Sequence, residues 1–126
     1  MPEITANPEH SASYKDFTVY ARFVTLANGY LLLVTDQAEY GIGTIALSTP
    51  PSGITKQAIS SPFNLFGLKH SLLANLLGKT ASKHLKKPVM TMILIKNSII
   101  KPKIVTQITT QAVNQAVTAL LKTKHE

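Results

Sequence analysis

Two stretches of this 126-residue sequence match spacings that phosphate chemistry uses. Gly41-Ile42-Gly43-Thr44-Ile45-Ala46 has the glycine pattern that seats a dinucleotide pyrophosphate at a helix N-terminus. That chemistry needs a helix directly after the glycines, and an acid about 20 residues further on for the ribose. TIALSTPP follows instead, a β-type run stopped by Pro50-Pro51, and residues 40–125 contain no Asp or Glu. The segment is therefore expected to be a tight turn. Gly78-Lys79-Thr80 ends like a phosphate-binding loop, but the position that should hold its first glycine is Leu73. The surrounding pattern is helical, and no downstream Asp is present to hold Mg²⁺.

Other catalytic or metal chemistry is equally short of residues. His10, His70, His84 and His125 are scattered, with no second ligand at metal spacing. His84 is expected to project near the apolar face of a helix. General acid–base work needs positioned carboxylates, and Asp36 and Glu39, in one turn, are the only candidates. Serines and threonines are plentiful, but nothing beside them would activate a nucleophile. The absence of Cys excludes thiol catalysis, disulfides, iron–sulfur clusters and Cys-based zinc sites. The expectation is a non-catalytic protein without cofactor or metal.

Charge then becomes the main functional clue. The net charge is +7, but five of the six acids lie in the first 39 residues, whereas residues 40–125 carry 11 Lys. Lys83, Lys86 and Lys87 cluster at the end of a predicted helix, where they complement its dipole. They also suit an acidic protein surface. A small basic RNA- or DNA-binding module is the alternative class; against it, aromatic residues are not interleaved with the lysines and no nucleic-acid motif is present. The longest apolar runs, Tyr30–Val34 and Val89–Ile95, are well short of the ~20 residues of a membrane span. The start, MPEITANPEHSASY, lacks the basic end and apolar stretch of a secretory signal. The expected setting is the cytoplasm, with the nucleus as a further location and no membrane partner.

The elements that must position these residues follow from periodicity. Residues 1–15, with Pro2 and Pro8, read as a flexible tail; residues 16–122 form one domain and 123–126 a short tail. FTVYARFVTL and YLLLVTD flank Asn28-Gly29, a strong hairpin signal because both turn residues tolerate positive φ. A two-residue turn would set Ala27 opposite Tyr30, Val24 opposite Leu33 and Arg22 opposite Thr35. A third strand covers Ile42–Leu47 and a weaker fourth covers 54–61. SPFNLFG (61–67) reads as a loop into a helix over Leu68–Leu85, whose core-facing residues are expected to be Leu72, Leu73, Leu76, Leu77 and Thr80. Within this helix Gly78 costs about 1 kcal/mol relative to Ala. Pro88 opens the strand VMTMILIK. Residues 104–121 form a second amphipathic helix with Val105, Ile108, Ala112, Val113, Ala116 and Leu120 inward, and Gln107, Gln111, Asn114, Gln115 and Thr118 outward. The order β-β-β-(β)-α-β-α predicts an α+β fold, a mainly antiparallel sheet with two helices packed on one face.

Such a sheet should turn polar on its uncovered side, and these strands do not. Phe17, Val19, Ala21 and Phe23 form one face of the first strand, and Tyr20, Arg22, Val24 and Leu26 the other. The second strand (Leu32, Val34; Leu31, Leu33) and the last (Val89, Ile93, Ile95; Met90, Met92, Leu94) are apolar on both sides. Two explanations fit. Either the sheet curls or the 48–67 segment covers it, or a partner subunit packs its own sheet there. In the second case the partner face is Tyr20, Arg22, Val24, Leu31, Leu33, Met90, Met92 and Leu94, since a charge is better tolerated at an interface rim than beneath helices.

The hairpin FTVYARFVTLANGYLLLVTD, the Gly-led strand GIGTIALST, the segment SSPFNLFG, the Leu-rich helix LLANLLGKTASKHLKK and the strand PVMTMILI occur in an order that resembles the small proteasome assembly chaperones. The resemblance runs over roughly residues 16–121 and is strongest in 60–95. It points to the chaperone 4 branch, with its partner branch, chaperone 3, as the alternative. The resemblance implies no catalysis. It also implies a heterodimer with a chaperone 3-type subunit, each chain an antiparallel sheet with two helices. The pair would bind an α-type subunit of the 20S proteasome, help order the α-ring and leave before the core particle is complete.

Overall fold

Phe17–Thr25 and Tyr30–Thr35 form two β-branched and aromatic-rich strands that bury alternate side chains over most of their length. The computed structural model describes residues 2–51, 59–64 and 70–124. Its elements run β1 (Thr5–Ala6), β2 (His10–Tyr14), β3 (Phe17–Thr25), β4 (Tyr30–Thr35), β5 (Thr44–Thr49), β6 (Ile59–Asn64), α1 (Ser71–Leu85), β7 (Val89–Leu94) and α2 (Pro102–Lys124). One sheet has the order β1-β3-β4-β7-β5-β6, with β2 also paired to β3. All pairings are antiparallel except β4 with β7, the parallel pair at the centre. The two helices lie on one face, α1 over β5, β6 and β7, and α2 over β2 and β3. The α+β architecture is thus the expected one.

The core lies between the sheet and this helical layer. It contains Phe17, Val19, Ala21 and Phe23 of β3, Tyr30, Leu32 and Val34 of β4, and Val89 and Ile93 of β7. Helix α2 contributes Val105, Ile108, Ala112, Val113, Ala116, Val117 and Leu120, including all six residues expected to face inward. Its five expected outward residues are exposed. It starts two residues earlier than expected because Pro102, with fixed φ and no N–H to satisfy, suits a first helical turn. Burial of each large side chain contributes about 1.5–3 kcal/mol, and Phe23 and Tyr30 add an edge-to-face ring contact at 5.9 Å.

Four expectations need correction. The segment 1–15 is not a flexible tail over its described length: Thr5–Ala6 and His10–Tyr14 both pair with β3. Between them Asn7 donates its Nδ2 to Thr25 Oγ1 (2.9 Å) and its backbone N–H to Phe23 O (2.9 Å). The β3–β4 register is shifted by two, with Arg22 opposite Leu33 and Val24 opposite Leu31. Asn28 lacks the positive φ that a two-residue turn requires. Instead Leu26–Gly29 form a four-residue loop held by Leu26 N–H to Gly29 O (2.9 Å), while Tyr30 N–H bonds Pro88 O (2.9 Å). An even shift keeps every side chain on its expected face. In SPFNLFG, residues 61–64 belong to β6 and the rest lie outside the described residues, as do 54–58 of the expected fourth strand.

The fourth correction concerns α1. Leu73, Ala74, Leu77, Gly78, Ala81, Ser82 and Leu85 are buried, whereas Leu72 is 84% and Leu76 52% exposed and His84 faces solvent. Small residues, not the largest number of leucines, face the sheet, because the helix lies very close to it. A Cβ on Gly78 would stand 2.2 Å from Ser48 Oγ and 3.0 Å from Thr91 Oγ1. Thr91 Oγ1 is itself buried without a hydrogen bond. The helix-propensity cost of Gly78 therefore accompanies a contact that no other residue permits.

Gly43 marks the same kind of approach at the β5–β7 ladder. A Cβ there would fall 2.2 Å from the Ile93 carbonyl oxygen and 3.1 Å from its carbon. The glycine of the dinucleotide-like spacing thus serves strand packing, and a strand, β5, follows it. Gly43→Ala should lower the urea midpoint by an amount equivalent to about 1–3 kcal/mol, as overpacking does. Gly41→Ala should cost less, since its Cβ would meet a movable methyl, Leu94 Cδ2, at 2.7 Å. Equal midpoints for the Gly43 variant and the parent would refute this packing role.

Candidate interaction surfaces

The sheet face opposite the helices is built from the alternate residues of β3, β4, β7 and β5. Register places Val24, Leu31, Met90 and Leu47 in one row across the four strands. Arg22, Leu33, Met92 and Ile45 form the next row, and Tyr20, Thr35 and Leu94 a third. All eight residues assigned to the face from the sequence lie on it together. Ile45 and Leu47 were missed, although the alternation in Thr44–Thr49 carries the signal. Thr35 in the third row is buried beside Gln37, Ala38 and Tyr40, but no element covers the two apolar rows within the described residues: Leu47 is 49% and Met90 40% exposed, and the rest of these rows is half-buried. Residues 59–64 do not fold over it, since they extend the sheet sideways as β6.

Asp36, one of two carboxylates weighed for catalysis, is committed to backbone at the end of this surface. Its Oδ1 accepts from Lys96 N–H (3.0 Å) and its Oδ2 from Asn97 N–H (2.9 Å). Oδ1 also accepts from Gln37 Nε2 at 2.8 Å. Thr35 Oγ1 donates to Leu94 O (2.8 Å), so a side chain also joins β4 and β7 at their last pair. Asn97 Oδ1 then accepts from Ile99 and Ile100 N–H, turning the chain toward α2. Glu9 accepts the hydroxyl of Tyr40, and burial, reinforced by this bond, pushes the Tyr40 phenol well above its usual range. Both carboxylates tie separate stretches of chain together. Among the described residues no cluster of three or more His, Asp and Glu could hold a metal, and no helix is long and apolar enough to cross a membrane.

A second surface lies on the helical layer. Leu72 and Leu76 project outward from α1, on the same side as Lys79 and Lys83 by helical spacing. At its apolar end a cleft of about 220 Å³ opens between α1 and the start of α2, lined by Leu72, Leu73, Ile100 and Val105 among others. Ile99 stands fully exposed beside it, at 90%. Lys83 lies in the last turn of α1, and Lys86 and Lys87 lie in its connection to β7. Lys86 ends the helix in a left-handed conformation (φ 60°), its N–H bonded to Ser82 O at 2.8 Å.

Neither family models nor curated proteins match the sequence. The fold, in contrast, is similar to that of a solved structure, a chain from a chaperone complex for yeast 20S proteasome assembly. The likeness covers 95% of this chain and 96% of that one, with a TM-score of 0.65 and 13% identity. At that identity the two share a fold.

If Asp36 acts as a clamp, Asp36→Ala should lose about 1–3 kcal/mol of stability, the usual cost of leaving such donors without a charged acceptor. Asp36→Asn, which keeps one acceptor oxygen, should lose less. Urea unfolding of the two variants against the parent measures both, and an unchanged midpoint for Asp36→Ala would remove the clamp.

Proposed function

We propose that this protein is a non-catalytic assembly chaperone of the 20S proteasome that works as one half of a heterodimer. The uncovered apolar sheet face carries this reading. A single helical layer leaves Val24, Leu31, Leu33, Ile45, Leu47, Met90, Met92 and Leu94 in contact with water, at about 25 cal/mol for each Å² of apolar area left uncovered. A related small chaperone, itself a sheet with one bare face, is the partner that fits. The full-length likeness to a chain of a yeast proteasome assembly chaperone complex supports the same assignment. The sequence resemblance to the chaperone 4 branch makes a chaperone 3-type subunit the expected partner.

The client is an α-type subunit of the 20S proteasome, and the helical layer is the surface we assign to it. Two protein interfaces on opposite sides of one thin domain let the partner and the α-type subunit bind together. Leu72 and Leu76 supply apolar anchors there, while Lys79 and Lys83 offer charge to an acidic rim.

Affinity purification of the tagged chain from its source cells, followed by mass spectrometry, tests this directly. The expected result is proteasome α-type subunits together with one related small chain at equal stoichiometry. Met92→Asp or Val24→Asp should remove the small chain, because a carboxylate would be buried in the apolar face. Leu72→Asp with Leu76→Asp should keep the small chain and lose the α-type subunits. Recovery of neither by the unmodified protein would overturn the proposal.

A further inference from the structure

Among the described residues the sheet face carries one charge, and its position is unusual. Arg22 stands in the middle of β3, opposite Leu33, with Val24 and Tyr20 as its neighbours along the strand. The edge strand beside it is interrupted there: β2 pairs with residues 17–21 and β1 with 24–25, so Arg22 falls in the gap. Its Nε is buried and makes no hydrogen bond. A guanidinium in that state is tolerable while part of it reaches water. It becomes costly once a second apolar sheet closes over it, unless an acceptor arrives with that sheet.

The strands of this face bring no carboxylate to Arg22 in a second copy of the chain. Thr18, Tyr20, Val24, Leu31, Leu33, Thr35, Ile45, Leu47, Thr49, Met90, Met92 and Leu94 include no acid. Glu9 and Asp36 lie outside the strands of this face, where Glu9 accepts from Tyr40 and Asp36 from the backbone of 96 and 97. The backbone carbonyls of a facing sheet are used within its own ladders, so a side chain must provide the oxygen. The planar fork of an arginine matches a carboxylate best.

We propose that the chain covering this face places an Asp or Glu against Arg22, and that Arg22 selects that partner over a second copy of this chain. This rests on the sheet face being the pairing surface, as proposed above. Arg22 then works in two directions: it gains a charge-assisted hydrogen bond with the acid-bearing partner, and it leaves two unpaired guanidinium groups in a self-pair. A pairing surface that is otherwise apolar would lack this discrimination.

Self-association of the purified chain, followed by sedimentation velocity, tests the idea with no other protein present. Arg22→Met and Arg22→Gln should each tighten self-association at least tenfold relative to the parent, and adding Met92→Asp to either should abolish the gain. Two variants are needed because Met adds apolar surface, whereas Gln removes only the charge; circular dichroism confirms that each is folded. Unchanged or weaker self-association in both variants would overturn the role of Arg22. A gain in Arg22→Met alone would also overturn it, since added apolar area would then be the cause. If the double variants associate as strongly as the single ones, the sheet face is not the pairing surface and the reading beneath the proposal fails with it.

Discussion

The central pair of parallel strands, β4 and β7, imposes the main constraint on this molecule. Parallel strands are ordinarily covered on both faces, and these two are apolar on both. On one side Leu32, Val34, Val89 and Ile93 meet the helices. On the other, Leu31, Leu33, Met90 and Met92 are covered by no element among the described residues. The described residues form two helices, and the topology places both on the same side. Its stability as a single domain and its need for company therefore arise from the same ladder.

Close approach of backbone makes the helical side dense enough to hold. Gly78 brings α1 against Ser48 and Thr91, and Gly43 brings the start of β5 against Ile93. The few polar groups near this layer are spent on joining elements, as with Asp36 at the exits of β4 and β7. What looked in the sequence like a sparse collection of catalytic or phosphate-binding residues is in place a set of spacers and clamps. The lysines among the described residues are left for the outer surface.

Much of the fold was legible because it rests on period. Alternation in Phe17–Thr25 and Val89–Leu94 assigns each side chain to a face without reference to the partner strand. The assignment survived a register error, since the observed shift is two residues. The N-terminal strands were not legible: His10-Ser-Ala-Ser-Tyr14 is short, polar and only weakly β-forming, and it is a strand because β3 offers an edge. The face of α1 was misread because the leucines outvote Ala74, Gly78 and Ala81 by hydrophobicity, while the contact is decided by size. Of the candidate surface, the eight residues of the sheet face could be read directly. The gap beside Arg22 could not, because it depends on where the unforeseen edge strands break.

The joint between Thr35 and Leu94 also has a consequence in time. These residues are 59 apart in sequence, and β5, β6 and α1 lie between them. During synthesis, β3 and β4 can form their hairpin long before β7 exists. Until then β4 presents an unpaired edge as well as two greasy sides, the kind of transient species from which misassembly starts. The central strand of the finished sheet is thus completed by one of the last segments to be made.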